Sequence, residues 1–128
     1  MKERKICLLV DDDPDDQEVF LTALSDVSAT ALCLIATDGD RALELLYNEG
    51  TVPDYIFLDL NMPRMNGFEF LAAMKKSRIL RNIPVIVYST TSQPAQIETV
   101  KKLGATEFFT KTTKYNELCS ILKKYFND

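Results

Sequence analysis

Side chains that could bind a hard cation or a phosphoryl group fall at four places in the chain, each at the end of a short apolar run. Asp11, Asp12 and Asp13 follow Ile6–Val10, and Asp59 follows Tyr55–Leu58. Ser89, Thr90 and Thr91 close the run that starts at Pro84, and Lys111 follows Glu107–Thr110. Carboxylates, hydroxyls and an ammonium are the donor set of magnesium-assisted phosphoryl acceptance. Magnesium prefers oxygen ligands, keeps several waters and takes one or two carboxylates. Two carboxylates ~4 Å apart repel by about 4 kcal/mol at an effective dielectric of about 20, and a divalent cation or a lysine relieves that repulsion. An aspartate can itself act as nucleophile and form an acyl phosphate, whose added oxygens a cation, a lysine and a hydroxyl can bind.

Whether these groups meet depends on the elements that carry them. Five apolar runs of about strand length are rich in Val, Ile, Leu, Phe and Tyr: Lys5–Val10, Ala31–Thr37, Tyr55–Leu58, Pro84–Ser89 and Glu107–Thr110. The first, third and fourth are almost continuously apolar, as central parallel strands covered on both faces are. Amphipathic stretches lie between them. Asp13 is a good N-cap with Pro14 at the first helical position, and Phe20, Leu24 and Val27 share a face. Ala42, Leu45 and Leu46 recur at helical spacing, with Gly50 as a stop. A third helix is expected over roughly Gly67–Lys76, with Phe68, Leu71 and Ala72 facing inward. A fourth carries Ile97, Val100 and Leu103 and ends before Gly104; a fifth carries Leu118, Ile121, Leu122 and Tyr125. The basic stretch Lys75–Asn82 reads as the end of the third helix and an exposed loop, with cations suited to a helix C-terminus. Strand and helix alternating five times predict an α/β fold, a doubly wound five-stranded parallel sheet with five helices and right-handed crossovers. In such sheets a site forms at the carboxyl ends of the strands. If the first, third, fourth and fifth strands are neighbours, the carboxylates, Ser89 and Lys111 converge there.

Composition narrows the chemistry further. The 128 residues suit one domain, and 46% hydrophobic with 27% charged residues is an ordinary globular balance. Nineteen acids against fifteen bases leave a formal charge of −4, which argues against direct nucleic-acid binding. The chain has no His, which excludes a His-activated nucleophile, a His-ligated zinc site and a His phosphocarrier. With Gly only at 39, 50, 67 and 104, no glycine-rich phosphate loop can be written. Cys7, Cys33 and Cys119 lie in apolar runs with no CxxC and read as buried free thiols suited to a reducing cytoplasm. Met1–Lys5 is basic like a signal-peptide start, but Ile6–Val10 is too short for a signal core or a membrane span. A cytoplasmic protein without membrane contact is expected. No linker or second domain is visible, so residues 1–128 read as a single domain.

Taken together, Leu8-Leu9-Val10 followed by Asp11-Asp12, the stretch Asp59-Leu60-Asn61-Met62-Pro63 with Gly67 after it, Ser89-Thr90, and Lys111 resemble the response-regulator receiver domain over essentially the whole chain. The resemblance implies a CheY-like fold, of the stand-alone type without an output domain, and a place in a two-component phosphorelay. Asp59 would accept a phosphoryl group from a sensor histidine kinase or a histidine phosphotransfer protein, and the changed surface would engage a downstream protein. The receiver would catalyse only its own phosphorylation and dephosphorylation. Asp12 would ligate Mg2+ directly, Asp11 through a metal-bound water, and the backbone carbonyl of Asn61 would join Asp59 in the ligand set. Ser89 would move to the phosphoryl oxygens, Lys111 would pair with them, and Thr90, where a smaller residue is common, would narrow access. Phe108 stands at the family's aromatic switch position. Asn61 and Thr91 flank the water that hydrolyses the acyl phosphate. Thr112 stands where the family usually has a cis-proline, and a trans bond or an unusual local path is expected there, because a non-proline cis bond costs ~3–4 kcal/mol.

Other readings compete at particular residues. Acids in a first helical turn are favourable by ~0.3–1 kcal/mol each, which accounts for Asp13, Asp15 and Asp16 but poorly for Asp11 and Asp12. Asp59 with Asn61 and Pro63 could be turn punctuation, and Phe108 could be plain core. A haloacid-dehalogenase-type phosphatase would carry a second Asp two residues after its nucleophile, where this chain has Asn61. A flavodoxin-like electron carrier would need a phosphate-cradling loop where the aspartates stand. The alternative within the family is a pseudo-receiver, an interaction module that is not phosphorylated.

Overall fold

The computed structural model describes residues 4–48, 50 and 52–127. Met1–Glu3, part of the basic start, lie outside the described residues. The chain alternates strand and helix throughout: β1 Ile6–Val10, α1 Pro14–Val27, β2 Leu32–Ala36, α2 Gly39–Asn48, β3 Tyr55–Leu58, α3 Gly67–Lys76, β4 Val85–Ser89, α4 Pro94–Lys102, β5 Glu107–Thr110 and α5 Tyr115–Lys123. All pairings are parallel in the order β2-β1-β3-β4-β5. The expected fold is therefore observed. The four strands that end in chemical groups are consecutive neighbours, and β2, which carries none of them, lies outside at one edge.

The continuous apolar runs are continuous because helices cover both faces. Leu8 and Val10 of β1, Leu58 of β3 and Val87 of β4 pack with Ala42 and Leu46 of α2, Phe70, Leu71 and Met74 of α3, and Val100 of α4. Cys7, Leu9, Phe57 and Ile86 point the other way, against Phe20 and Leu24 of α1 and Leu118 and Leu122 of α5. Edge-to-face aromatic contacts, Phe20 on Phe57 with centroids 5.1 Å apart among them, fill that layer. Burying a large apolar side chain of this kind contributes about 1.5–3 kcal/mol.

Three expectations need correction. Of the three free thiols expected to be buried, Cys7 is, whereas Cys33 and Cys119 are half-buried at the edge of the α1–α5 layer. The buried face of α3 is formed by Phe70, Leu71 and Met74; Phe68 is half-buried but packs against the same core as expected, whereas Ala72 is half-buried and outside that cluster, so the inward face is wider than expected and centred on Phe70, Leu71 and Met74. The Lys75–Asn82 connection is not wholly exposed, because Leu80 is buried in the core. Helix α1 begins as expected: Asp13 Oδ1 accepts from Asp15 N at 2.9 Å and Asp16 N at 3.3 Å, with Pro14 first in the helix. Among the described residues, no helix is long and apolar enough to cross a membrane.

Candidate functional site

Each strand delivers its last residues to the same edge of the sheet. Asp59 N donates to Val10 O at 2.9 Å, which sets the β3 end beside the β1 end. Lys111 N donates to Ser89 O at 2.7 Å and does the same for β5 and β4. The loop after β3 is shaped by Arg64, whose φ of 62° is left-handed, and by the α3 start, where Gly67 N donates to Leu60 O at 3.0 Å. Asn66 caps α3 in a reciprocal capping box with Glu69.

Asp59 is 6% exposed and Asp11 is 2% exposed, whereas Asp12 is exposed. Carboxylate oxygens of Asp11, Asp12 and Asp59 all lie within 4.8 Å of one another. Ser89 is fully buried, and its Oγ donates to Asp59 Oδ1 at 2.9 Å. Lys111 Nζ stands 2.7 Å from Asp11 Oδ2, 2.7 Å from Asp16 Oδ2 and 3.9 Å from Asp59 Oδ1. Asn61 and Thr90 are exposed residues beside this cluster in sequence. Phe108 is half-buried and packs against the core on the α2–α4 face. Thr91 Oγ1 is hydrogen-bonded to the Gln96 side chain.

The electrostatics follow from burial. Loss of solvent raises the Asp59 carboxyl above the usual aspartate value, and the charges of Asp11 and Asp12 add to this, against the opposing pull of Lys111 and Ser89. Burial likewise raises Asp11, even though Lys111 and the Asp13 amide bond it. For Lys111, burial acts downward, but the hydrogen bonds to Asp11 and Asp16 outweigh it and the ammonium is held above the usual lysine value. One lysine thus faces more negative charge than it can neutralise, and the uncompensated carboxylates are hard oxygen donors, which fits a divalent cation such as magnesium.

Two residues gained roles that the sequence did not disclose. Asp16 reads as a helix-start acid, but it clamps Lys111. It lies in the first turn of α1 beside Asp15, and the separation of 95 residues hides the pair from the sequence. Tyr88 is the second. The Lys111–Thr112 bond is trans, as expected, and Thr112 N donates to Tyr88 Oη at 3.4 Å. Thr112 Oγ1 also donates to Glu117 Oε2 at 2.7 Å and accepts from Lys114 N at 3.0 Å. These bonds hold the loop that positions Lys111.

The response regulator receiver domain family matches residues 7–123. The chain belongs to that family. Receivers are modules of two-component response regulators; the general mechanism is phosphorylation of an aspartate, and the usual partners are histidine kinases and phosphotransfer proteins. The chain is 31% identical over 124 residues to the probable C4-dicarboxylate response regulator DctR of Bacillus subtilis, a match over 97% of this chain but 53% of DctR. It thus spans about half of that relative. The phosphorylated cyanobacterial phytochrome response regulator RcpA is similar in structure, with a TM-score of 0.87 and 31% identity over 95% of this chain and 91% of RcpA. The manganese(II)-bound response regulator Rcp1 has a TM-score of 0.83 and 28% identity over 94% of this chain and 90% of Rcp1. Receiver domains bind magnesium or manganese at an acidic pocket, and the Asp11, Asp12 and Asp59 cluster fits that role.

Proposed function

We propose that this receiver accepts a phosphoryl group on Asp59 with the help of Mg2+, from a sensor histidine kinase or a histidine phosphotransfer protein, and that the phosphorylated surface engages a downstream protein. The observation that carries this reading is the surround of Asp59: Ser89 Oγ at 2.9 Å, Lys111 Nζ at 3.9 Å and the Asp11 and Asp12 carboxylates within 4.8 Å. Asp59 is buried beside two other carboxylates, so an acid there is costly unless it has a use.

Asp11, Asp12, Asp59 and the carbonyl of Asn61 would hold the ion, which supplies charge neutralisation for the incoming phosphoryl oxygens. An Asp59 oxygen would form the P–O bond as the donor's P–N bond breaks, the electron pair leaving with the imidazole nitrogen. Ser89 would donate to one phosphoryl oxygen and Lys111 to another, with Thr90 bounding access from outside. Residues 1–128 are read as one receiver domain, with Phe108 as the residue that would report the site's state to the α4–β5 side. The three free cysteines suit the cytoplasm, and the acidic balance of −4 disfavours direct nucleic-acid contact.

Intact-mass analysis after incubation with a small acyl-phosphate donor, with and without magnesium, tests this reading. A single magnesium-dependent phosphoryl adduct is expected on the wild type and none on Asp59→Asn. A folded wild type without an adduct would establish the pseudo-receiver instead.

A further inference from the structure

Lys111 has three N–H donors. Two of them are committed, at 2.7 Å each, to Asp11 and Asp16, and Asp59 lies beyond hydrogen-bond distance at 3.9 Å. The two partners differ in kind. Asp11 is buried and belongs to the carboxylate cluster that suits a cation. Asp16 stands outside that cluster, on α1, with a side chain 42% exposed. Its backbone is fixed, because Asp13 caps Asp15 N and Asp16 N, and Gln17 Nε2 donates to Asp11 O at 2.7 Å and ties the same turn to the β1 end. A favourable position in the helix field accounts for an acid in this turn. It does not account for the aim of this carboxylate at a cation from the far end of the sheet.

We propose that Asp16 is the positioning residue for Lys111: its carboxylate on the first turn of α1 holds the ammonium off Asp59, and a phosphoryl group on Asp59 must draw the lysine away from it. This rests on Asp59 being the phosphoacceptor. A cation claiming Asp11 leaves Asp16 as the anion that still holds Lys111. A cavity of ≈ 50 Å³ lined by Asp11, Asp16, Tyr88 and Lys111, with Val19, Phe20 and Leu118, lies on the α1 side of the ammonium and does not include Asp59, so the resting lysine stands on the side away from the phosphoacceptor. The contact also makes the start of α1 sensitive to the state of Asp59, since the same lysine serves both.

The test uses Asp16→Asn, Asp16→Glu and, as a charge-matched control from the same turn, Asp15→Asn. Two quantities are read. One is the NMR signal of the Lys111 side chain in metal-free, unphosphorylated protein. The other is the affinity for beryllofluoride, a phosphoryl mimic, in the presence of magnesium. Asp16→Asn should move the Lys111 signal and tighten beryllofluoride binding about two- to fivefold, the range of a partly exposed ion pair. Asp15→Asn should do neither, and Asp16→Glu should return the signal toward wild type. If Asp16→Asn behaves as Asp15→Asn while the wild type binds the mimic, Asp16 is only a helix-start acid and the proposal falls alone. Weaker binding by Asp16→Asn overturns the holding role, because Asp16 would then be presenting the lysine to the phosphoryl group. A wild type that binds no beryllofluoride overturns the phosphoacceptor reading, and this proposal with it.

Discussion

Ser89 Oγ donates to Asp59 Oδ1 at 2.9 Å, and Ser89 Oγ itself accepts from Leu60 N at 3.4 Å. The hydroxyl implied to travel to the acceptor thus already stands against it, held by the loop that follows Asp59. Ser89→Ala removes the donor and leaves a buried carboxylate with one fewer partner. In the transition state the same hydroxyl would donate to a phosphoryl oxygen, and a hydrogen bond to a charged group is worth about 1.5–3 kcal/mol, so phosphorylation by a small acyl phosphate should slow by roughly tenfold or more. The rate of mass-adduct formation reads this directly, and an unchanged rate would mean that Ser89 is only a strand-end hydroxyl.

The buried carboxyls predict an unusual pH response. Asp59 and Asp11 are both raised above their ordinary values, chiefly by burial. A raised folded-state value means that the folded protein holds these protons more tightly than the unfolded chain. Their contribution is fully present below the unfolded aspartate value of about 4 and is lost as pH rises through the folded value. Lys111 is also raised, and its contribution persists until alkaline pH. Metal-free protein should therefore lose stability between mildly acidic and neutral pH. Asp59→Asn should remove part of that loss and raise the neutral-pH Tm by roughly 3–6 °C per kcal/mol relieved. Thermal denaturation of wild type and variant at pH 5 and pH 7.5 decides it. Magnesium should stabilise the wild type at neutral pH far more than the variant.

Most of the fold was legible because apolar runs and strand positions coincide when helices cover both faces of a sheet. Tyr55–Leu58 and Glu107–Thr110 match the observed strands to the residue. The convergence of Asp11, Asp59, Ser89 and Lys111 was legible too, since each ends a strand. The inward face of α3 was legible only in part: Leu71 and Phe68 meet the core, but Phe70 and Met74 were missed and Ala72 was not inward, because all five are apolar and only packing selects among them. Asp38 was missed for a related reason: its buried carboxylate caps α2 by accepting from Arg41 N at 2.9 Å, and its surroundings do not look apolar in sequence. The Asp16–Lys111 pair needed the third dimension, because nothing local distinguishes Asp16 from Asp15.

The Thr112 amide offers a test of how this chain manages without the family's usual proline. Proline has no N–H, whereas Thr112 has one, and it donates to Tyr88 Oη at 3.4 Å. Tyr88 is 8% exposed, so Tyr88→Phe leaves that donor poorly satisfied at a cost of about 0.5–1.5 kcal/mol. In a Thr112→Pro background there is no donor left to orphan. The cost of Tyr88→Phe should then shrink by most of that amount, which a double-mutant cycle by urea denaturation measures. Additive effects would show that the two residues are not coupled.

Gly67 controls the distance between α3 and the end of β3. A Cβ there would stand 2.4 Å from Asp59 O and 2.7 Å from Leu60 Cα, both backbone atoms that cannot rotate aside. Gly67→Ala must therefore push the α3 start away from the Asp59–Leu60 segment, breaking the bond from Gly67 N to Leu60 O. Overpacking of this kind costs about 1–3 kcal/mol. Because the displaced backbone carries Asp59, the damage should reach magnesium binding as well as stability. Gly50 is the control: its φ of 67° makes alanine strained, but among the described residues nothing lies within 4 Å of a Cβ there. Gly50→Ala should cost about 1 kcal/mol and leave magnesium affinity unchanged, while Gly67→Ala should weaken that affinity several-fold. Equal effects on magnesium binding in the two variants would show that the loop bearing Asp59 absorbs the displacement without moving the carboxylate.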